Sequence, residues 1–244
     1  MDDFKGKVAL VTGANKGLGK QLVRRLLDHG WTVYLGSRDL ARGKAAVDEL
    51  QGPGRDVRLL VLDVTDGESV TQAVSHIEQG SGLLDLLVNN AGISVGGHHP
   101  SQTDIEDVRA VFETNFFGPF RLSQAMLPLL RKSETPSIIN VSSDLGSMGL
   151  IGYPDGAHAR TQLFAYQSSK VAQNGLTVLL AKDLYAEGIR VNAVNPGFTA
   201  TDITGFRGDR TVEVAVEESL LKYALQGKDG PTGGFFTGRG SLPW

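Results

Sequence analysis

"VALVTGANKGLGK", residues 8–20, carries three signals in one short stretch. Val8 to Thr12 is an apolar, β-favouring run, which suits a buried strand. Gly13, Gly17 and Gly19 then crowd the turn, and "KQLVRRLLDHG" follows with apolar residues at helical spacing. Without a Cβ, glycine lets the chain bend sharply and lets an anion approach the free N–H groups at a helix start. Glycines also make plain turns. Their place after a first strand and before a helix favours a nucleotide phosphate.

The alternation continues outward from this unit. Apolar runs at 31–37, 57–64, 83–92, 136–143, 189–197 and 233–238 alternate with helical patterns at 41–51, 69–79, 104–130, 164–187 and 211–224. Strands that are apolar throughout and separated by helices predict a parallel sheet covered on both faces. No repeat, linker or composition shift divides the chain. The expected fold class is therefore α/β, one doubly wound parallel sheet of the Rossmann type in a single dinucleotide-binding domain spanning residues 1–244.

Bulk properties exclude several function classes. Hydrophobic residues make up 41% and charged residues 21% of 244, ordinary values for a globular protein. A formal net charge of -3, with no basic run beyond Arg24-Arg25, argues against nucleic acid and anionic membranes as partners. The absence of cysteine removes thiol catalysis, disulfides and thiolate metal sites. No apolar run approaches the roughly 18 residues of a membrane span. The acidic start "MDDFKGKVALVTG" lacks a signal-peptide layout, so a soluble, cytoplasmic location is expected.

The end of the second strand points to the form of the dinucleotide. An acid there would hold a ribose 2′-hydroxyl, whereas arginine suits a 2′-phosphate. Here the residues are Gly36-Ser37-Arg38, with Lys16 in the first turn and Arg42 one helical turn past Arg38. A guanidinium offers paired donors to phosphate. Arg38 and Arg42 as merely solvated helix-start residues is the other reading, and Asp39 is explained as an acid at a helix N-terminus. NADP(H) is the expected cofactor.

Five motifs in order, "TGANKGLG", "NNAG" at 89–92, "NVSS" at 140–143, "YQSSK" at 166–170 and "NPG" at 195–197, resemble the short-chain dehydrogenase/reductase family. The first motif, "SRDLARG" and the ending "GPTGGFFTGRGSLPW" look most like its NADPH-dependent carbonyl reductases. The resemblance implies reduction of an aldehyde or ketone, with Asn115, Ser143, Tyr166 and Lys170 as the catalytic set. Tyr166 would protonate the carbonyl oxygen, Ser143 would hold it, Lys170 would bind the nicotinamide ribose and Asn115 would support a proton relay. Lys170, four residues on and so on the same helix face, is expected to favour the phenolate and lower the Tyr166 pKa. By the same resemblance the cofactor would be held by Gly13, Asn15, Lys16, Gly17, Leu18, Gly19, Ser37, Arg38, Arg42, Asp63, Val64, Asn90, Ala91, Gly92, Tyr166, Lys170, Pro196, Gly197, Thr199 and Thr201.

Structural readings stand beside these roles. Ser143 could cap a helix or turn, Asn89 and Asn90 could satisfy turn backbone, and Asp63 could cap a helix. The resemblance also leaves other activities open. An alcohol dehydrogenase or 3-oxoacyl reductase would use the same residues, and a non-catalytic NADP(H)-binding sensor would share the fold.

Ser143 and Tyr166 are 23 residues apart, about ten more than is common in the family. This implies a short insertion at about 150–163 beside the substrate site, and a monomer or small homo-oligomer. Tyr153 in that stretch has Ala157, not lysine, four residues on, so it is expected to line the substrate pocket. His98 and His99 lack a third ligand, so no metal is expected. Asp104, Glu106 and Asp107 read as charge at a helix start.

Overall fold

A computed structural model describes residues 4–153, 155–156 and 158–244. Met1–Asp3, and Pro154 and Ala157 of the expected insertion, lie outside the described residues.

The chain forms one eight-stranded sheet in the order β3-β2-β1-β4-β5-β6-β7-β8. Its first seven strands are β1 (Val8–Val11), β2 (Thr32–Ser37), β3 (Asp56–Val61), β4 (Leu86–Asn89), β5 (Ser137–Val141), β6 (Arg190–Val194) and β7 (Phe235–Thr237), all parallel to their neighbours. β8 (Gly240–Ser241) returns antiparallel to β7, a hairpin the sequence reading did not anticipate. The connecting helices are α1 (Gly17–Asp28), α2 (Leu40–Leu50), α3 (Gly67–Ser81), α4 (Ile105–Phe112), α5 (Gly118–Leu130), α6 (Met148–Ile151), α7 (Phe164–Asp183), α8 (Val212–Ala215) and α9 (Leu221–Ala224). Strand order reverses between β1 and β4, and the crevice beyond the carboxyl ends of the strands at such a switch is where open α/β sheets bind ligands.

Two apolar cores, one on each face, hold the sheet. Leu22, Val23 and Leu26 of α1 pack with Val33, Leu35 and Val88 on one side. Leu122 and Met126 of α5 and Ile77 of α3 pack with Leu10, Leu87 and Ile138 on the other. β1 is buried along its whole length, because alternate residues face alternate cores. Fully burying each such leucine or isoleucine stabilises the fold by about 1.5–3 kcal/mol.

Boundaries differ from the sequence expectation for identifiable reasons. The strand expected to reach Val64 ends at Val61, and that expected to reach Ser143 ends at Val141. Polar side chains then take over backbone pairing: Asp63 accepts from Thr65 N (2.9 Å), and Ser143 accepts from Leu145 N (3.2 Å). The helix expected over 104–130 contains a wide turn at Glu113–Phe117, where Gly118 N–H reaches back to Glu113 O. Pro119 follows and has no N–H to continue the ordinary ladder. A second wide turn, Val216–Leu220, joins α8 to α9 inside the helix expected at 211–224. α7 stops at Asp183 rather than 187, and Gly188 closes the connection in a left-handed conformation (φ 70°).

Candidate active site

The glycine turn after β1 has the geometry a phosphate needs. Gly13 (φ 60°) and Gly17 (φ 55°) adopt left-handed backbone. A Cβ on Gly13 would lie 2.9 Å from Ala91 Cα, and one on Gly19 would lie 2.6 Å from Asn90 Nδ2. α1 opens at Gly17 with no side chain capping it, so its first N–H groups are free for an anion. Asn15 and Leu18 share this turn, with Leu18 packed against the core. These residues fit the pyrophosphate of a dinucleotide.

Thr12, which sequence reasoning passed over, ties this turn to β4. Its Oγ1 accepts from Asn90 N (3.0 Å) and Ala91 N (2.9 Å), while Asn90 Nδ2 donates to Thr12 O (2.7 Å). Asn90 therefore does the backbone-satisfying work that was its alternative reading, and in doing so shapes the turn. Asn89 is buried and donates to Asn140 Oδ1 (2.8 Å), so it is structural. Val64 packs under the wide turn, where a Cβ on Gly118 would come within 2.8 Å of its methyl.

At the end of β2, Ser37 is buried and its hydroxyl donates to Asp39 O (2.8 Å). Asp39 caps α2, accepting from Arg42 N (2.9 Å), as expected. Arg38 is exposed and forms no ion pair among the described residues. Lys16 is engaged: its Nζ lies 2.9 Å from Asp202 Oδ1.

Around α7 a second constellation forms. Lys170 is 4% exposed, and its Nζ donates to Val141 O (2.8 Å) and Gln173 Oε1 (3.0 Å). The same Nζ lies 5.7 Å from the Tyr166 ring centroid. Burial pulls the Lys170 pKa down to about 7. The Tyr166 phenol, by contrast, is pushed up to about 12 by burial, against the opposing hydrogen bond of Ser143 and with help from the Asp144 charge. This corrects the expectation of a lowered tyrosine pKa. Desolvation disfavours both charged forms, and the spacing of the pair could not reveal it.

Ser143 faces Tyr166, whereas Ser142 Oγ turns to Asn174 Oδ1 (2.6 Å) in the interior. Ser143 also caps the turn at Asp144–Gly146, as its structural reading had it. Asn174 Nδ2 donates to Gly146 O (2.9 Å), and a Cβ on Gly146 would press to 2.8 Å on the Lys170 backbone. Gln173 and Asn174 follow Lys170 at helical neighbour spacing, a signal that could have found them.

Asn115 lies in the wide turn, fully buried. Its Oδ1 accepts from Ile93 N (2.9 Å), and its Nδ2 donates to Ile93 O (2.9 Å) and Ser169 Oγ (3.0 Å). It thereby pins the backbone after Gly92 beside Lys170. Asn115→Ala leaves both Ile93 groups unpaired and should destabilise the fold by about 2–4 kcal/mol, read as a lower urea midpoint. An unchanged midpoint would contradict this anchoring.

Past β6, Asn195 Oδ1 accepts from Gly197 N (2.9 Å), and Thr199 Oγ1 donates to Gly197 O (3.1 Å). Pro196 is buried, and Thr201 faces the glycine turn, its methyl 3.8 Å from where a Gly17 Cβ would stand. The segment before α7 also packs near the site: His158 Nε2 lies 3.3 Å from Asp144 Oδ2. Tyr153 is exposed. Asp104 caps α4, accepting from Glu106 N (2.8 Å). The described residues contain no cluster that could hold a metal, and no helix among them is long and apolar enough to cross a membrane.

Comparison with known proteins bears on this geometry. A family model described as short chain dehydrogenase matches residues 7–211. The chain is 33% identical to (+)-neomenthol dehydrogenase of Arabidopsis thaliana, covering 95% of this chain and 96% of that protein. It is 34% identical to a 3-oxoacyl-acyl-carrier-protein reductase of Vibrio harveyi, over 83% of this chain and 77% of the relative. Among solved structures, an NADPH-bound carbonyl reductase from chicken fatty liver superposes with a TM-score of 0.87 at 29% identity, covering 98% of this chain and 100% of the other. The glycine turn, the α7 constellation and these relatives together place the protein in the short-chain dehydrogenase family of oxidoreductases.

Proposed function

We propose that this protein reduces an aldehyde or ketone to the alcohol with NADPH, the whole chain acting as one dinucleotide-binding domain. The observation that carries the reading is that Ser143 faces Tyr166 just past β5 while buried Lys170 brings its Nζ to 5.7 Å from the centroid of the same ring. A bound nicotinamide dinucleotide supplies the hydride. Gly13, Gly17, Gly19 and the α1 amides hold the pyrophosphate. Tyr166 gives its proton to the carbonyl oxygen, Ser143 holds that oxygen, and Asn115 keeps Gly92 and Ile93 in place beside Lys170. A phenol held at about 12 is protonated at neutral pH, the form a proton donor needs.

The preference for NADPH rests on Arg38, which is exposed and without an ion-pair partner among the described residues, with Lys16 and Arg42 nearby. A guanidinium–phosphate pair is worth about 1.5–3 kcal/mol, or roughly 10–100-fold in affinity. Initial rates should therefore give kcat/KM for NADPH at least about 10-fold above NADH, with Arg38→Glu erasing the difference. Equal use of both by the unaltered protein would sink the NADPH assignment and leave the reductase reading standing.

A further inference from the structure

The cations expected to meet the adenosine 2′-phosphate already have an anion among them. Lys16, the extended residue that opens α1, holds Asp202 at 2.9 Å. The Asp202 carboxyl sits below the usual aspartate range, chiefly through its hydrogen bond from Lys16, with the Arg42 charge adding to the effect. Arg42 stands beside one other carboxylate, Asp39, with Nε 3.7 Å from Oδ2, and that group is committed to capping α2. Lys16 and Arg42 thus share two carboxylates, Asp39 at the start of α2 and Asp202 in the segment after β6.

The segment bearing Asp202 is a self-contained knot. Thr201 N donates to Thr204 Oγ1 (3.0 Å), Thr204 Oγ1 donates to Thr199 O (2.7 Å), and Phe206 N donates to Thr201 O (2.9 Å). Phe206 is held in left-handed backbone (φ 58°), unusual for a bulky side chain. The glycine turn meets this knot through the Lys16–Asp202 ion pair, with the Thr201 methyl standing over Gly17. Both partners of the pair are about half exposed, so it is a weak latch that a phosphate dianion can displace.

We propose that Asp202 competes with the adenosine 2′-phosphate for Lys16 and Arg42, so that recognising the phosphate unlatches the 199–206 knot from the glycine turn. The inference rests on the NADPH reading. It makes Asp202 a specificity-determining residue: it lowers affinity for the phosphorylated cofactor and couples the cofactor's adenosine end to the loop that follows β6.

Adenosine 2′,5′-bisphosphate and AMP serve as probes, because they differ in the 2′-phosphate alone and lack the nicotinamide. By calorimetry, Asp202→Asn should bind the bisphosphate about two- to fivefold tighter than the unaltered protein, the scale of an exposed ion pair, with AMP affinity unchanged. Asp202→Glu, which keeps the charge, should stay close to the unaltered protein. The bisphosphate, but not AMP, should also speed tryptic cleavage after exposed Arg207 in the unaltered protein, with no further acceleration in Asp202→Asn. If the unaltered protein binds both probes equally, the NADPH reading itself fails and the inference with it. If it prefers the bisphosphate but Asp202→Asn brings no gain, or Asp202→Glu gains equally, competition by the carboxylate is overturned and the NADPH reading survives.

Discussion

Tyr166→Phe should lower kcat for carbonyl reduction by about 10²–10⁴-fold, the range a positioned general acid contributes. The substitution keeps the ring that Lys170 approaches to 5.7 Å and removes only the phenolic proton. NADPH affinity and the urea midpoint should change little, since the glycine turn and both cores are untouched. That split separates a proton donor from a packing residue: the former costs kcat alone, the latter costs stability as well. Activity within a few-fold of the unaltered enzyme would remove Tyr166 from the mechanism.

Lys170 sets the second large effect, a rise of stability with pH. Its pKa in the folded protein is about 7, against 10.5 unperturbed. Between those values the unfolded chain binds more protons than the folded one, so unfolding free energy increases as pH rises. Below pH 7 both states are protonated, and the fold carries the full cost of burying the ammonium. Above 10.5 both are neutral and that cost is gone. At one pKa unit per roughly 1.4 kcal/mol, the gain across the window is at most about 5 kcal/mol. Tyr166 acts in the opposite sense at higher pH. Its phenol is raised to about 12, so stability falls from pH 10 to 12 as the unfolded tyrosine ionises first. Urea midpoints measured from pH 6 to 10 should climb in the unaltered protein and lie flatter in Lys170→Met. Parallel curves for the two would show that Lys170 is not held against its charge.

How much of this was legible depends on the reach of each interaction. The glycine turn, the alternation and the spacing of Tyr166 and Lys170 are local, and the sheet with its first seven parallel strands followed from them. Strand ends were overextended because Asp63 and Ser143 read as continuations of apolar runs, whereas their side chains capture nearby N–H groups and end the ladder. The wide turn at 113–117 had one visible cause, Pro119, whose missing N–H was not weighed. Contacts between distant segments were closed to sequence reasoning. Thr12 bonding to Asn90, Ser142 to Asn174 and Lys16 to Asp202 all require the fold before the partners are known. The tyrosine pKa went astray for the same reason: the neighbouring lysine is visible in the spacing, but the burial that outweighs it is not.

The most direct test of the central claim is NADPH oxidation by the purified protein, over a panel of aldehydes, diketones, quinones and ketoesters, with Tyr166→Phe in parallel. Carbonyl-dependent oxidation that disappears in the variant is the predicted result. Tight binding of NADPH without oxidation by any of these carbonyls would contradict it and leave a dinucleotide-binding protein without reductase activity.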